Sequence, residues 1–490
     1  MSDTLVAEDL DYLRRYPDVA GAVQSGRFGS AREHFEQHGQ FEGRLWLERP
    51  PETAPPLIGS CDVLILSEDS FFLEGWTDDR LRSVAGFDVV DMNTGLRTAS
   101  AAYRCRRMDV EQHLGAPHPT EFGLWTAGLL PSPGQAEGLA FALVYGNGAM
   151  NPLEPSRTLR LARREFFEHL LAHYGRRSLL SNVTARSFEE MDGRLGPLVT
   201  DLYGRIRATR RVTTRAGFGG GQGRPKLSLI TVLYGIPDFL YLQVAQFARF
   251  ADLSEIEFLF VSNSPELEEV LLRDAELAAH VFRTTIRVIS LNQNCGFSHA
   301  NNIGIEEAAC DTIVVINPDV FPYNAAAIQR LFRYAGRGME RSIAGGKLYY
   351  ADGSVMHDGM FFEPERKLTA LCRAPVWTVE HFRKGFADRP GQAARPVPAV
   401  SGALMVFDRR FGRELGLFDE DFVYGHYEDA DLCLRARGAG GSVILDPDLA
   451  FWHYEGKGSV KRPEHAGSGL YNRWLFSQRW AGKLEDANNV

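Results

Sequence analysis

Asn317-Pro318-Asp319 follows an unbroken apolar run at residues 312–316. A buried strand that ends on a carboxylate is suited to holding a hard divalent ion, and such an ion can neutralise a diphosphate. Taken alone the string is an Asx-Pro turn, so its neighbours matter. One neighbour is the segment Asn292-Gln293-Asn294-Cys295-Gly296-Phe297, continuing to Asn301, Asn302 and Gly304. It is a loop rich in amides and glycine that opens a helix, and a helix N-terminus favours a phosphate. Another is the stretch from Asp419 to Asp431, where six acids stand within 13 residues and no Lys or Arg intervenes before Arg435. A helix starting near Glu428 would stabilise ionised carboxylates through its dipole and make Asp431 and Arg435 an i,i+4 pair. Asp429 would then be free to act as a base. His453, in Phe451-Trp452-His453, ends a short strand-like segment preceded by another at 441–445. By itself it reads as a core histidine.

The elements that must carry these residues are legible from periodicity. Apolar runs at 227–233, 256–261, 285–289 and 312–316 alternate with amphipathic helices starting near Pro237, Pro265 and His299. Ser264 reads as an N-cap ahead of Pro265 and Glu266. The alternation predicts a doubly wound sheet of parallel strands with ligands at their carboxyl ends. Ahead of it, residues 8–44 form a small helical module, with a capping box at Ser30 and Glu33 and a helix end at Gly39. His34 and His38 lie four apart on a solvated helix face. A Pro-rich linker at 50–56 leads to strand-like runs at 63–66, 87–90 and 138–145, then helical patterns at 156–207. The string from Phe71 through Trp76 to Asp79 reads as a tight turn with a core Trp rather than a sugar-binding loop. The glycine run at 217–223 is a second linker, since it closes no G-x-G-x-x-G fingerprint. The expected domains are therefore a helical module at 1–49, a β-rich accessory domain with a helical tail at 57–210, and a large α/β domain at 225–490.

Composition narrows the partners. The chain has 490 residues, 44% hydrophobic and 24% charged, with 54 Lys and Arg against 63 Asp and Glu. A net charge of −9 without any basic run argues against nucleic acid. The most apolar stretch, 227–248, has Gly235, Pro237 and Asp238 at its middle and reads as strand, turn and helix, not a membrane span. An acidic N-terminus without an apolar segment gives no secretory signal. Six well-separated cysteines without a C-x-x-C pair fit reduced thiols in a cytoplasmic enzyme.

Taken together, Asn294-x-Gly296-Phe297 leading to Asn302, Asn317-Pro318-Asp319, Val400-Ser401-Gly402-Ala403, Gly416-x-Phe418-Asp419-Glu420 and Glu428-Asp429-x-Asp431 with Arg435 occur in the order and spacing of family 2 glycosyltransferases. The resemblance runs from about Lys226 to Leu484 and is most similar to the bacterial rhamnosyltransferase-like branch that builds surface polysaccharides. It implies a GT-A fold, a doubly wound mixed sheet, and inverting transfer from a UDP- or dTDP-sugar to a hydroxyl of a glycan or lipid-linked acceptor. It further implies that Asp429, with Glu428 beside it, takes the acceptor proton. Asp319 would hold Mn2+ or Mg2+, with His453 joining the metal shell and Asn317, a weaker amide ligand, standing where the family has its first acid. Thr231, Tyr234, Asn263, Asn294, Gly296, Phe297, Asn302, Asp319 and Arg435 match positions of the donor site. Where the family often has Val-Asp-Asn, this chain has Val261-Ser262-Asn263, so Asn263 or Ser262 must replace a contact to the nucleoside. A lipid-linked acceptor would bring the enzyme to the inner face of the membrane.

Two other readings come from different classes. Ser298, Asp319 and His453 follow the chain order of an α/β-hydrolase triad, although the loop at 290–294 replaces the sharp elbow that such a serine needs. A non-catalytic sugar-binding or scaffolding protein could also keep the fold.

Overall fold

The computed structural model describes residues 12–13, 16–39, 58–80, 83–116, 120–132, 134, 138–146, 148–180, 184–220, 224–337, 339–365 and 375–484. The expected linker at 50–56 lies outside them. The chain divides into two compact units, one made of Met1–Leu64, Leu73–Thr126 and Leu130–Thr158, the other of Ile65–Phe72, Ala127–Leu129 and Leu159–Val490.

In the first unit, Val84–Asp91 pairs antiparallel with Arg97–Ala101 on one side and Leu139–Tyr145 on the other, and the latter pairs with Met150–Leu153. Val84–Asp91 buries alternate residues, as a sheet with one covered face requires. The N-terminal helices Pro17–Gln24 and Ala31–His34 pack around Tyr12, Val19 and Ala31. Ser30 accepts a hydrogen bond from the Glu33 N–H at 3.0 Å, but Glu33 reaches Gly29 N–H at 2.6 Å and not Ser30, so only half of the expected capping box forms. His34 is buried against Tyr12, whose hydroxyl lies 3.3 Å from its Nδ1, which corrects the solvated face expected for it. The string at 71–79 is also not a turn: Ser70–Thr77 is a strand.

The second unit is built on one mixed sheet. The strands along its main path are β1 (Val212–Phe218), β2 (Leu227–Leu233), β3 (Ile256–Ser262), β4 (Ile286–Leu291), β5 (Thr312–Ile316), β6 (Val320–Pro322), β7 (Ser342–Tyr349), β8 (Leu404–Asp408) and β9 (Ser442–His453). They lie in the order β1-β4-β3-β2-β5-β8-β7-β9-β6. β4, β3, β2 and β5 are mutually parallel, whereas β8 runs antiparallel to β5 and to β7, and β1 is antiparallel to β4. The expected parallel sheet is thus the centre of a larger mixed one. β1 takes up Gly217, which had read as linker. The segments expected at 441–445 and 451–453 are one continuous strand, β9.

Helices cover both faces, so every residue of β3 is buried. Phe258 and Phe260 face one layer with α3 (Phe239–Ala248), α4 (Glu268–Phe282) and α6 (Ala325–Arg337). The opposite layer takes Ile230, Ile313 and Val315 against α5 (Gly296–Glu307) and α7 (Glu428–Gly438). Ser264 does not cap the helix after it. Its Oγ accepts from Gly235 N–H at 2.9 Å, fastening the turn after β2 instead.

Three further helices belong to this unit: α1 (Arg163–Leu180), α2 (Gly196–Arg207) and α8 (Glu464–Trp480). The helices expected as the tail of the accessory domain therefore lie with the large sheet. α1 and α8 cross where Gly175 meets Gly467, so closely that a Cβ on Gly175 would stand 2.6 Å from the Gly467 nitrogen. A Cβ on Gly467 would collide with the Leu171 carbonyl oxygen. Gly467→Ala is expected to lower stability by about 1–3 kcal/mol, measured by chemical denaturation. The sign is diagnostic, because the same change in an unobstructed helix raises stability by about 1 kcal/mol.

Candidate active site

Four loops converge at the carboxyl ends of the parallel strands: Tyr234 follows β2, Asn263 follows β3, Asn294 follows β4, and Asn317 to Asp319 follow β5. This is the end of a doubly wound sheet at which ligands bind, next to the reversal of strand order between β2 and β5.

Several of the expected donor residues build the walls of this site. Asn263 lies buried between β3 and the β4 loop, accepting from Cys295 N–H at 3.1 Å and donating to the Gly296 carbonyl at 3.1 Å. Asn294 accepts from Gly296 N–H at 3.0 Å. Gly296 has φ of +84°, and a Cβ there would press on Tyr424 and on the Tyr203 hydroxyl. Phe297 N–H donates to the Tyr424 carbonyl at 2.7 Å, while its ring stands edge-on to Phe418. Asn302 clamps the 418–420 turn, accepting from Phe418 N–H at 3.0 Å and donating to its carbonyl at 2.8 Å. Thr231 is fully buried and donates to Gln243 at 2.6 Å. Tyr234 is half-buried, with the Arg462 guanidinium 5.8 Å from its ring centre. Arg435 is turned to Asp431 at 2.8 Å, the i,i+4 pair expected from the sequence, and to the Leu415 carbonyl.

The six acids at 419–431 separate into two groups. Asp419 and Asp421 are both held by Arg479, at 2.6 and 2.7 Å, and Arg207 also reaches Asp421. Glu420 contacts Arg210 at 3.0 Å and His299 at 2.9 Å. Burial works against the Glu420 charge, but His299, Asn302 and Arg210 outweigh it and hold the carboxyl at about 2. Asp431 is shared by Arg435 and the Trp480 indole N–H. Among the described residues, only Glu428 and Asp429 of the six lack an Arg, Lys or His ion pair.

These two carboxylates stand in the first turn of α7, where the helix dipole favours negative charge. Asp429 accepts from Gly402 N–H and Ala430 N–H, both at 2.8 Å. Burial nevertheless raises its pKa above the ordinary aspartate value, against those hydrogen bonds. Glu428 is raised further, by burial and then by the Asp429 charge, and its Oε2 is buried without a hydrogen-bond partner. The chain entering α7 is strained: Tyr424, His426 and Tyr427 take φ of +60°, +83° and +76°, a region costly for residues with a Cβ. Asn472 of α8 holds that turn, accepting from Val423 N–H at 2.8 Å and donating to the Val423, Gly425 and His426 carbonyls at 2.9, 2.7 and 3.2 Å. An Asn distant in sequence carries no local signal of its partner.

Asp319 lies at a second corner. It is buried, with Oδ2 accepting from the Lys457 and Gly458 N–H groups at 3.2 and 2.9 Å and Oδ1 3.4 Å from His453 Nε2. Antiparallel pairing of β6 with β9 puts Val320 opposite His453, which is what brings the histidine to the carboxylate. His453 Nδ1 is buried without a partner. Asn317 is held by its backbone, donating to Ala403 at 3.0 Å and accepting from Gln243 at 3.0 Å. Among the described residues no three of His, Cys, Asp or Glu converge as a metal cage. Asp319 Oδ1 and His453 Nε2, 3.4 Å apart, are donor atoms that fit a divalent cation whose shell substrate phosphate and water complete.

One short loop joins the two corners. Gly402 N–H is given to Asp429, and the Ala403 carbonyl receives Asn317 N–H. A Cβ at Gly402 would lie 3.3 Å from both Asp429 and Phe297. Ser298, by contrast, is inside α5, buried, and its Oγ has no hydrogen-bond partner. Lacking a base, it is not a hydrolase nucleophile.

Because Glu428 binds its proton more tightly folded than unfolded, its ionisation weakens the fold as pH rises through the raised folded value. Glu428→Gln is thus expected to raise stability at pH 8 by about 1–3 kcal/mol. In thermal unfolding, the gap over the parent should close as pH falls toward ordinary carboxylate values.

The chain is similar to the uncharacterized protein y4gI of Sinorhizobium fredii, 23% identical over 209 residues, which is 40% of this chain and 21% of that protein. The chain thus spans about a fifth of the length of this relative. Among solved structures it is similar to GalNAc-T7 with UDP, GalNAc and Mn2+ (14% identity, 53% of this chain and 49% of that one, TM-score 0.40). It is also similar to the mannosyltransferase PcManGT of Pyrobaculum calidifontis with GDP-Man and Mn2+ (14%, 60% and 83%, 0.32) and to S. aureus TarS 1-349 (14%, 53% and 76%, 0.33). The sequence profile described as Glycosyltransferase like family 2 matches residues 225–471, just over half of the chain. The chain belongs to that glycosyltransferase family, and its mixed α/β sheet is a GT-A domain.

Proposed function

We propose that this glycosyltransferase moves a sugar, with inversion, from a UDP- or dTDP-sugar to a hydroxyl of a glycan or lipid-linked acceptor in bacterial surface-polysaccharide synthesis. The observation that carries this reading is the pair of carboxylates left without a cation, Glu428 and Asp429, when the other four acids around them are ion-paired. A sugar hydroxyl is nearly unionised at neutral pH, so a positioned base is needed to take its proton as the oxygen attacks. Asp429 is suited to that work. Its carboxylate is oriented by two N–H donors, and its raised pKa brings its basicity closer to the working pH. Glu428, which holds its own proton more firmly, shapes the field at Asp429.

Asp319 and His453 would hold Mn2+ or Mg2+, which when bound neutralises charge on the departing diphosphate. The Lys457 and Gly458 N–H groups orient Asp319 for this. Tyr234, Asn263 and Asn294, at the ends of β2, β3 and β4, line the side on which the nucleotide belongs. The proposed organisation keeps a helical module and a β-rich domain ahead of the transferase domain. No described helix is long and apolar enough to cross a membrane, so contact with a lipid-linked acceptor would be peripheral. The five described cysteines are free thiols, in keeping with a cytoplasmic site of action.

Asp429→Asn is expected to lower kcat by about 10²–10⁴-fold with little change in KM for the donor, read as Mn2+-dependent nucleotide release from UDP-, dTDP- or GDP-sugars. Asp319→Ala should abolish the metal dependence. The kcat–pH profile of the parent should fall on the acid side, at a pH above the ordinary aspartate range, because Asp429 loses its function as it gains a proton. Asp429→Asn retaining parental turnover would refute the assignment.

A further inference from the structure

The 400–403 loop that joins the two corners is itself fixed from behind. Ser401, between Val400 and Gly402, donates its backbone N–H to His357 Nε2 at 3.3 Å. His357 Nδ1 lies 2.8 Å from His381 Nδ1, and the two rings stand nearly perpendicular. The register of the small strands produces this pair. Val355–His357 runs against β7, and Met360–Pro364 pairs antiparallel with Trp377–His381 so that Met360 faces His381. Met360 N–H also donates to the Ala399 carbonyl at 2.8 Å, tying the same turn to the start of the loop.

The hydrogen bonds fix where each proton is. A backbone N–H can only donate, so His357 Nε2 is unprotonated. Both rings are neutral at pH 7: burial carries His357 well below the ordinary histidine value and His381 down to about 4. A neutral imidazole with a bare Nε2 carries its hydrogen on Nδ1. At 2.8 Å that Nδ1–H must donate to His381 Nδ1, so His381 carries its own hydrogen on Nε2. The chain Ser401 N–H to His357 to His381 therefore runs in one direction, with one tautomer for each ring.

We propose that His357 and His381 are a positioning pair for the transfer reaction, locking the 400–403 loop so that Gly402 orients Asp429 and Ala403 holds the 317–319 turn. The proposal rests on Asp429 being the base. Neither histidine touches the reacting atoms, and neither lies in a motif that the sequence had singled out. Their effect is exerted through the backbone of Ser401.

The tautomers are read directly by long-range ¹H–¹⁵N correlation on the ¹⁵N-histidine-labelled full chain at pH 7. The expected result is a proton on Nδ1 of His357 and on Nε2 of His381; the reverse assignment for either ring would overturn the proposal. The functional arm measures Mn2+-dependent nucleotide release from UDP-glucose, dTDP-glucose and GDP-mannose. His357→Leu should lower kcat about tenfold with KM for the donor within about twofold, and His357→Gln, whose side-chain oxygen can still accept from Ser401, should recover most of it. His381→Phe, at a less enclosed position, should lower kcat in the same sense. Parental kcat in a folded His357→Leu, or no difference between Leu and Gln, would overturn the pair's role while leaving Asp429→Asn inactive. Parental turnover by Asp429→Asn would instead remove the reading beneath it, whatever the tautomers.

Discussion

The structure depends on keeping two adjacent carboxylates, Glu428 buried and Asp429 partly buried, at the start of a helix with no counter-cation among the described residues. Isolated buried charge is costly, and in this cluster every other acid avoids the cost by pairing. Asp419, Glu420, Asp421 and Asp431 are neutralised by Arg479, Arg210, Arg207 and Arg435. What remains at Glu428 and Asp429 is supported only by dipoles: the α7 N-terminus and the N–H groups of Gly402 and Ala430. That arrangement leaves Asp429 oriented and basic. An arginine in place of those dipoles would lower its pKa and blunt it as a base.

Holding such a pair requires stiffness around it. The strained 424–427 turn is secured by four hydrogen bonds from one side chain, Asn472. α8, which carries Asn472, is in turn pressed against α1 at a glycine crossing too close for a Cβ. The helices at 163–207 lie upstream of the region matched by the family profile, yet they supply the α1 contact and, just beyond α2, Arg210. The unit that folds around the site is accordingly larger than the family domain. On the other side of Asp429, the 400–403 loop couples it to the Asp319 corner, so the proposed base and the proposed metal ligand share one piece of backbone.

Much of this was legible in the sequence because it is local. The alternation of apolar runs and helices located β2 to β5, and the strand-end motifs located Asn294, Asn317 and Asp319. The spacing of Asp431 and Arg435 announced their pair. What could not be read is what depends on distant partners. The pairing of Asp419, Glu420 and Asp421 could not be read, because their arginines come from α2, the segment after it and α8. Asn263 and Asn302 match donor-site positions by resemblance, and their amides also brace loops, through partners that no local pattern reveals. Gly217 read as linker because it opens the glycine run at 217–223, while its strand partner, Arg287 of β4, is distant in sequence. His34 read as solvated because its partner, Tyr12, belongs to the preceding helical segment.

Calorimetric titration of UDP and dTDP, with and without Mn2+, into the parent chain and two variants tests the division of labour between the corners most directly. Metal-dependent nucleotide binding is expected in the parent and in Asp429→Asn, and its loss in Asp319→Ala. Equal binding in the absence of Mn2+, or unchanged binding by Asp319→Ala, would contradict that division.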